Sequence, residues 1–302
     1  MASLLQGVRS DGALFGRTAM RPPWSVRFED RAPLTLVAML RGDGWILADG
    51  ELPVALHEGA IGVVRGSAAF SIADAPEPRT AALYVVGGDD RRADEIRLGA
   101  RTCGAALDGP AMLLTARYGV SGSVCARLLG GLPPVVVVPD DRDQRTILRL
   151  AVAEIERSDP GQQAVLDRLL DLLLLTTLRA WFNRPEACPP AWYRALADPI
   201  VGQPLRLMHE EPARRWTLAA LAAEAGVSRA TFARRFTEVV GEPPMSYLTG
   251  WRLSLAADLL SRTDASVDSI ARRVGYQSGF GLSVAFKRVY GTRPSDHRRR
   301  AA

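Results

Sequence analysis

The sequence predicts an α+β chain: a small β barrel or sandwich, then a helical hairpin, then an all-helical domain with two helix-turn-helix units. Three observations lead there. From Arg27 to Val138 short, often alternating apolar runs are broken by Gly, Asp and Pro, as in APLTLVAML, AALYVV and PPVVVV. Beyond Asp140 the apolar spacing shifts to a helical period. In the last hundred residues one helix-turn-helix pattern occurs twice. A chain of 302 residues has room for several cores. The boundaries fall at 1–140, 141–196 and 197–302.

The β region carries few groups for chemistry. Trp45, Leu47, Phe70 and Tyr84, with Val86, either line a pocket for a small apolar molecule or fill a core, and both readings stay open. Cys103, beside Gly104, is either a redox-sensitive thiol or a small buried hydrophobe. Cys103, Cys125 and Cys188 are odd in number and lack CxxC spacing, which argues against a disulfide framework and a zinc site. Of three histidines only His57 lies in this region, and one histidine among scattered carboxylates makes no transition-metal site. No metal, cofactor or enzymatic activity is expected.

The hairpin comes next. DQRTILRLAVAEIER, residues 143–157, sets Ile147, Leu148, Val152 and Ile155 on one helical face. SDPG makes the turn, and residues 162–183 form a more apolar helix. Its run LLDLLLLTTL contains Asp171 and is too short to span a bilayer, and no stretch reads as a secretory signal. The expected location is the cytoplasm, without a membrane partner. The apolar surface of this helix covers more than one stripe. It either packs on the β domain or forms the seam of a homodimer.

The repeats are WTLAALAAEAGVSRATFARRFTEVVGEPP, from Trp216, and SVDSIARRVGYQSGFGLSVAFKRVYGTRP, from Ser266. Each has a short amphipathic helix, a turn opened by Gly226 or Gly275, a turn serine (Ser228, Ser278) and a second helix ending at Gly241 or Gly291. Ser228 is placed to cap the first recognition helix. Phe232, Phe236 and Val239 then face inward. Arg234 projects where an arginine reaches guanine O6 and N7, with Ala230 and Ala233 beside it as further base contacts. Ser228, Arg229, Arg235 and Thr237 suit phosphate oxygens.

The second recognition helix turns Gly279, Phe280, Gly281, Ser283 and Val284 outward. Phe280, Gly281 and Val284 are its base-side candidates, Phe280 and Val284 through thymine methyls. Ser278, Ser283, Lys287 and Arg288 are its phosphate candidates. This chemistry implies that the first unit specifies bases while the second positions the protein. MSYLTGWRLSLAADLLSR, between the repeats, reads as a long helix with Leu248, Trp251, Leu255, Leu259 and Leu260 on its apolar stripe and Arg252 on its polar side. Residues 197–302 hold 16 Arg or Lys against 10 Asp or Glu, while the remainder holds 22 against 23. The repeat-bearing end is thus the basic end, as binding to double-stranded DNA requires.

From Ile200 to Arg298 the chain resembles the AraC/XylS family of bacterial transcription regulators. The resemblance rests on LAALAAEAGVSRATFARRF, GEPPMSYLTGWRLSLAADLL and SIARRVGYQSGFGLSVAFKRVYGTRPSDHR. Leu282 and Val284 depart from it, where relatives often have an aromatic residue and an arginine. The upstream half is similar to the cupin-type sensor domain of one branch of that family, through Glu58–Gly66, TCGA around Cys103, and LLGGLPPVVVV. The resemblance implies a cupin-like barrel controlling a sequence-specific regulator, more often an activator. RNA polymerase and a small-molecule effector are the further partners it implies. The competing reading is a weakly specific architectural or redox-sensing DNA-binding protein acting through Cys103.

Overall fold

A computed structural model describes residues 8–9, 16–30, 32–66, 68–77, 84–86, 96–99, 101–105, 107–120 and 129–301. They divide into two compact units. One holds the strands and the helical hairpin up to Cys188; the other runs from Pro189 onward together with residues 129–131.

The first unit contains thirteen described strands in two sheets. The larger sheet has the order β10-β11-β2-β12-β4-β7-β13, with β1 (Val8–Arg9) also on β12. Its members are β2 (Gly16–Met20), β4 (Leu34–Arg41), β7 (Ile61–Arg65), β10 (Arg97–Gly99), β11 (Thr102–Gly104), β12 (Ala111–Val120) and β13 (Val135–Val138). The smaller has the order β6-β5-β8-β3-β9, from β3 (Ser25–Phe28), β5 (Gly44–Ala48), β6 (Val54–Leu56), β8 (Phe70–Ala73) and β9 (Tyr84–Val86). Among the described residues the sheets face each other without closing into a barrel. The core between them takes Val26 and Phe28 from β3, Ile46 from β5, Val37 and Met39 from β4, and Leu113 from β12. Phe28 stacks on Phe70 with centroids 4.6 Å apart.

Leu34 to Met39 of β4 are buried without alternation. A strand covered on both faces has no solvent side to make polar. Its second cover is the hairpin, α1 (Arg142–Ile155) and α2 (Gln162–Phe182). Asp141 caps α1, its side chain accepting from the Asp143 N–H. The Tyr118 hydroxyl of β12 donates to the Leu170 carbonyl of α2 at 2.8 Å, and burial pushes that phenol well above its ordinary pKa. Leu166, Leu170, Leu173, Leu174 and Leu178 are buried within this unit, whereas Val165 and Leu172 are 46% and 45% exposed. The apolar surplus of α2 is therefore mostly absorbed by its own sandwich, and a thinner apolar line remains outside.

The second unit is helical: α3 (Ala191–Ala195), α4 (Gly202–Glu210), α5 (Leu218–Glu224), α6 (Arg229–Val240), α7 (Pro244–Arg262), α8 (Val267–Arg273), α9 (Gly279–Tyr290) and α10 (Pro294–Ala301). Thr217 opens α5, accepting from the Ala220 N–H. On α6 the buried line is Phe232, Phe236 and Val240, four residues apart; Val239, expected inside, is only half-buried because it lies off that line. Phe236 meets Tyr247, near the start of α7, at 5.7 Å. Farther along α7, Leu253, Ala257 and Leu260 pack with Ile270, Leu282 and Phe286 of the second repeat. One helix thus supplies part of both cores.

Candidate nucleic-acid interface

The two recognition helices are built alike. Ser228 accepts from the Thr231 N–H at 3.2 Å, and Ser278 accepts from the Gly281 N–H at 3.2 Å. Each helix ends on a glycine at positive φ, Gly241 (90°) and Gly291 (71°). Cap and stop fix the length of both at 12 residues.

On α6 the exposed face carries Arg229, Ala230, Arg234 and Thr237, with Ala233 half-buried between them. The Arg234 side chain is 76% exposed, and its nearest carboxylate, Glu238, is 3.9 Å away. A pair that long and that exposed barely restrains the guanidinium. Arg229 makes no hydrogen bond or ion pair among the described residues. The Thr237 hydroxyl donates back to the Ala233 carbonyl at 2.9 Å.

Arg235, expected to contact phosphate, is 43% exposed and engaged by carboxylates of its own unit. Its Nε and Nη2 hold Asp198 at 3.0 and 2.7 Å, and Nη1 reaches Glu238 at 3.5 Å. The Asp198 side chain is only 7% exposed, and it also accepts the Ile200 and Val201 N–H groups at 3.0 Å. Burial alone would raise that carboxyl; the hydrogen bonds from Val201, Arg235 and Ile200, with the Arg235 charge, outweigh it and hold the pKa below 3.8. Arg235 therefore fastens α6 to the turn before α4. Sequence reasoning missed Asp198, although an Asp before Pro is a turn-forming signal.

The first turns of α9 expose Phe280, 80% exposed, and Val284, 56% exposed, one turn apart. Gly281 is half-buried. Gly279, expected outside, is buried: its N–H donates to Asp268 at 2.7 Å, and a Cβ there would lie 2.7 Å from the same carboxylate oxygen. The Ser283 hydroxyl turns inward to the Gly279 carbonyl at 2.7 Å. Lys287 and Arg288 are exposed, and their side chains make no hydrogen bond or ion pair among the described residues. The outward face of α9 is thus apolar in its first turns and carries Lys287 and Arg288 beside the exposed Val289 in its last.

Arg252 of α7 is half-buried and not on a solvent face. Its Nε donates to the Pro212 carbonyl and its Nη2 to the Arg214 carbonyl, both at 2.8 Å. Burial draws its pKa below the ordinary arginine value. Gly275, at the turn of the second unit, packs on the same spot: a Cβ there would meet the Pro212 oxygen at 2.6 Å and the Arg252 guanidinium at 2.8 Å. Its φ of +92° also favours glycine. The lead-in to the first unit and the turn of the second are clamped together through one arginine.

The β-region candidates are not brought to one place. Phe70 points into the core with Ile46, whereas Trp45 and Leu47 alternate to the opposite face of β5, each half-exposed. The backbone of Tyr84 lies in β9, and its side chain falls outside the described residues. Cys103 is half-buried in β11, Cys188 is exposed, and Cys125 falls outside the described residues. The His57 side chain is 76% exposed beside Asp43. No group of three or more His, Cys, Asp or Glu among the described residues could hold a metal. No helix there is long and apolar enough to cross a membrane.

A β-sandwich unit and a basic unit with two capped recognition helices define a helix-turn-helix regulator with a separate β domain. A cupin family model matches residues 1–183, and a helix-turn-helix domain model matches residues 221–300. A protein of Streptomyces lividans described as an AraC-like transcription regulator is 34% identical over 281 residues, 91% of this chain and 90% of that protein. The HTH-type transcriptional regulator AlkR of Acinetobacter baylyi is 29% identical over 219 residues, 70% of each chain. Among solved structures, the DNA-binding domain of AdpA in complex with a target DNA is 34% identical over 34% of this chain and 93% of that one, with a TM-score of 0.33. The chain belongs to the AraC-like transcription regulators, with a cupin domain at its N-terminal side, and is a sequence-specific DNA-binding regulator.

Proposed function

We propose that α6 and α9 enter successive major grooves, that α6 supplies most of the hydrogen-bonded base reading, and that the β unit controls the regulator as a sensor. The observation that carries the reading is the contrast between the exposed faces, Arg234 with Ala230 on α6 against Phe280 with Val284 on α9. An arginine projecting from an early turn makes a bidentate contact to guanine; an apolar pair makes none. Ala233 and Gly281, both half-buried, let the backbone approach the base edges. Arg229, Lys287 and Arg288, with the exposed edge of Arg235, are the phosphate contacts, joined by the N-cap ends at Ser228 and Ser278; Thr237 and Ser283 join them only where their hydroxyls turn from the helix carbonyls to the phosphate.

The regulator works as an activator that contacts RNA polymerase, in the cytoplasm, as a homodimer using the line of Val165 and Leu172 left exposed on α2. A small-molecule effector, and no catalytic step, sets its activity.

Selection of genomic fragments by the purified full chain near physiological salt, followed by sequencing, tests the reading. A bound motif with one sharply specified half and a looser half about ten base pairs away is the expected result. Enrichment that only follows base composition would overturn it, since a specific regulator prefers its site by ~10³-fold or more.

A further inference from the structure

An opening of about 950 Å³ lies at one end of the larger sheet, under α1. The end of β4 (Leu40, Arg41), the start of β12 (Met112), the Glu58–Gly59 turn and α1 form its walls. The size falls within the range of sites for small organic molecules. Its surface is divided by chemistry. Met112 and Leu148 are buried, Val152 and Leu40 are half-buried, and Leu107 at the rim is 55% exposed, so an apolar floor faces an open mouth.

The charged groups around that floor are unequally matched. Arg17 holds Glu156 at 2.9 Å, and Arg145 is paired with Asp140. Glu58 takes the Gly42 N–H at 2.8 Å. Among the described residues two guanidinium groups then form no ion pair, although Asp108, held by Arg21, feels the charge of Arg41. Arg41, from the sheet, donates one N–H to the Gly109 carbonyl at 2.9 Å and has four more. Arg149, from α1, makes no hydrogen bond or ion pair among the described residues. A cleft with an apolar floor and two unmatched arginines from opposite walls suits an apolar body that carries one planar anion.

We infer that this cleft binds an organic carboxylate with an apolar body, the carboxylate held between Arg41 and Arg149 and the body lying on Met112, Leu148 and Val152. The site is separate from the recognition helices, so its test does not depend on DNA binding. The ligand bridges the end of the sheet and α1, the two elements that the cleft separates.

The full chain is titrated with 1-anilinonaphthalene-8-sulfonate, an aromatic anion that fluoresces in apolar sites. One saturable site is expected. Octanoate should displace the dye, whereas octanol and inorganic phosphate at equal concentration should not. Arg149→Gln should weaken the dye about tenfold, as loss of one charge-assisted contact does. Val152→Trp should abolish binding by filling the floor. Both variants should keep the parent's circular dichroism and both unfolding transitions in urea, which shows that the β unit folds. Dye binding that neither variant changes, or displacement by phosphate as effective as by octanoate, would overturn the assignment.

Discussion

Arg234 and Arg235 are adjacent on α6, yet a step of about 100° around the helix gives them different partners. Arg234 reaches solvent with a carboxylate no nearer than 3.9 Å, while Arg235 is bound to the buried Asp198 at 2.7 Å. Arg234→Ala should cost about 1–3 kcal/mol of DNA binding and relax preference at one or two base positions, leaving the unfolding midpoint alone. A loss uniform across sequences would make it a phosphate contact. Arg235→Ala should act on stability instead, lowering the urea midpoint at pH 7. The pH dependence follows from Asp198. Its folded pKa lies below the ordinary 3.8, so the stability it contributes is complete above that value. It is lost as the pH falls through the folded value. The gap between parent and Arg235→Ala midpoints should therefore shrink on moving from pH 7 to pH 3. A gap of equal size at both would remove Asp198 from the account.

Among the elements, α7 sets the geometry of the whole interface. At 19 residues it is about 28 Å long, and it contributes to both helix-turn-helix cores. Its ends were legible in the sequence through Pro244 and the period of its apolar residues. Arg252 was not, because its partners are the backbone carbonyls of Pro212 and Arg214, some forty residues earlier, and no pattern of side chains announces a carbonyl acceptor. The capping serines were legible because a cap bonds within its own helix. The Asp198 partner of Arg235 was hidden for the same reason: that carboxylate lies 37 residues away. Arg252→Ala leaves two carbonyls without their donor and should cost about 1–2 kcal/mol of stability. A purely structural loss would stop there. If the clamp fixes the two probes relative to each other, the variant should also tolerate sites whose halves are one base pair closer or farther. Binding to a set of spacing-altered duplexes reads this directly, and an unchanged spacing preference would limit Arg252 to stability.

On the scale of the molecule, the sequence announced a basic end and a β-rich end, and the structure keeps them as separate compact units. It did not distinguish sandwich from barrel, since alternation along a strand is the same in both. Nor did it announce the cleft under α1, whose walls are drawn from residues as far apart as Arg41 and Arg149. Charge and shape separate again on the DNA-binding unit, and salt tells them apart. Each phosphate neutralised by a cation adds about 0.9 to the slope of log affinity against log salt. Lys287 and Arg288 have no ion partner among the described residues, so replacing both with alanine should reduce that slope by about 2 and weaken every sequence alike. Phe280→Ala should do the reverse. It removes a side chain that is 80% exposed, so the fold loses little, the salt slope stays as it was, and only the preference in the looser half-site changes. Affinity measured for both variants from 50 to 200 mM salt, on a preferred and a scrambled duplex, decides between them. If Phe280→Ala lowers the slope, or if the double variant changes sequence preference, then α9 does not divide into an apolar reading turn and a cationic anchoring turn.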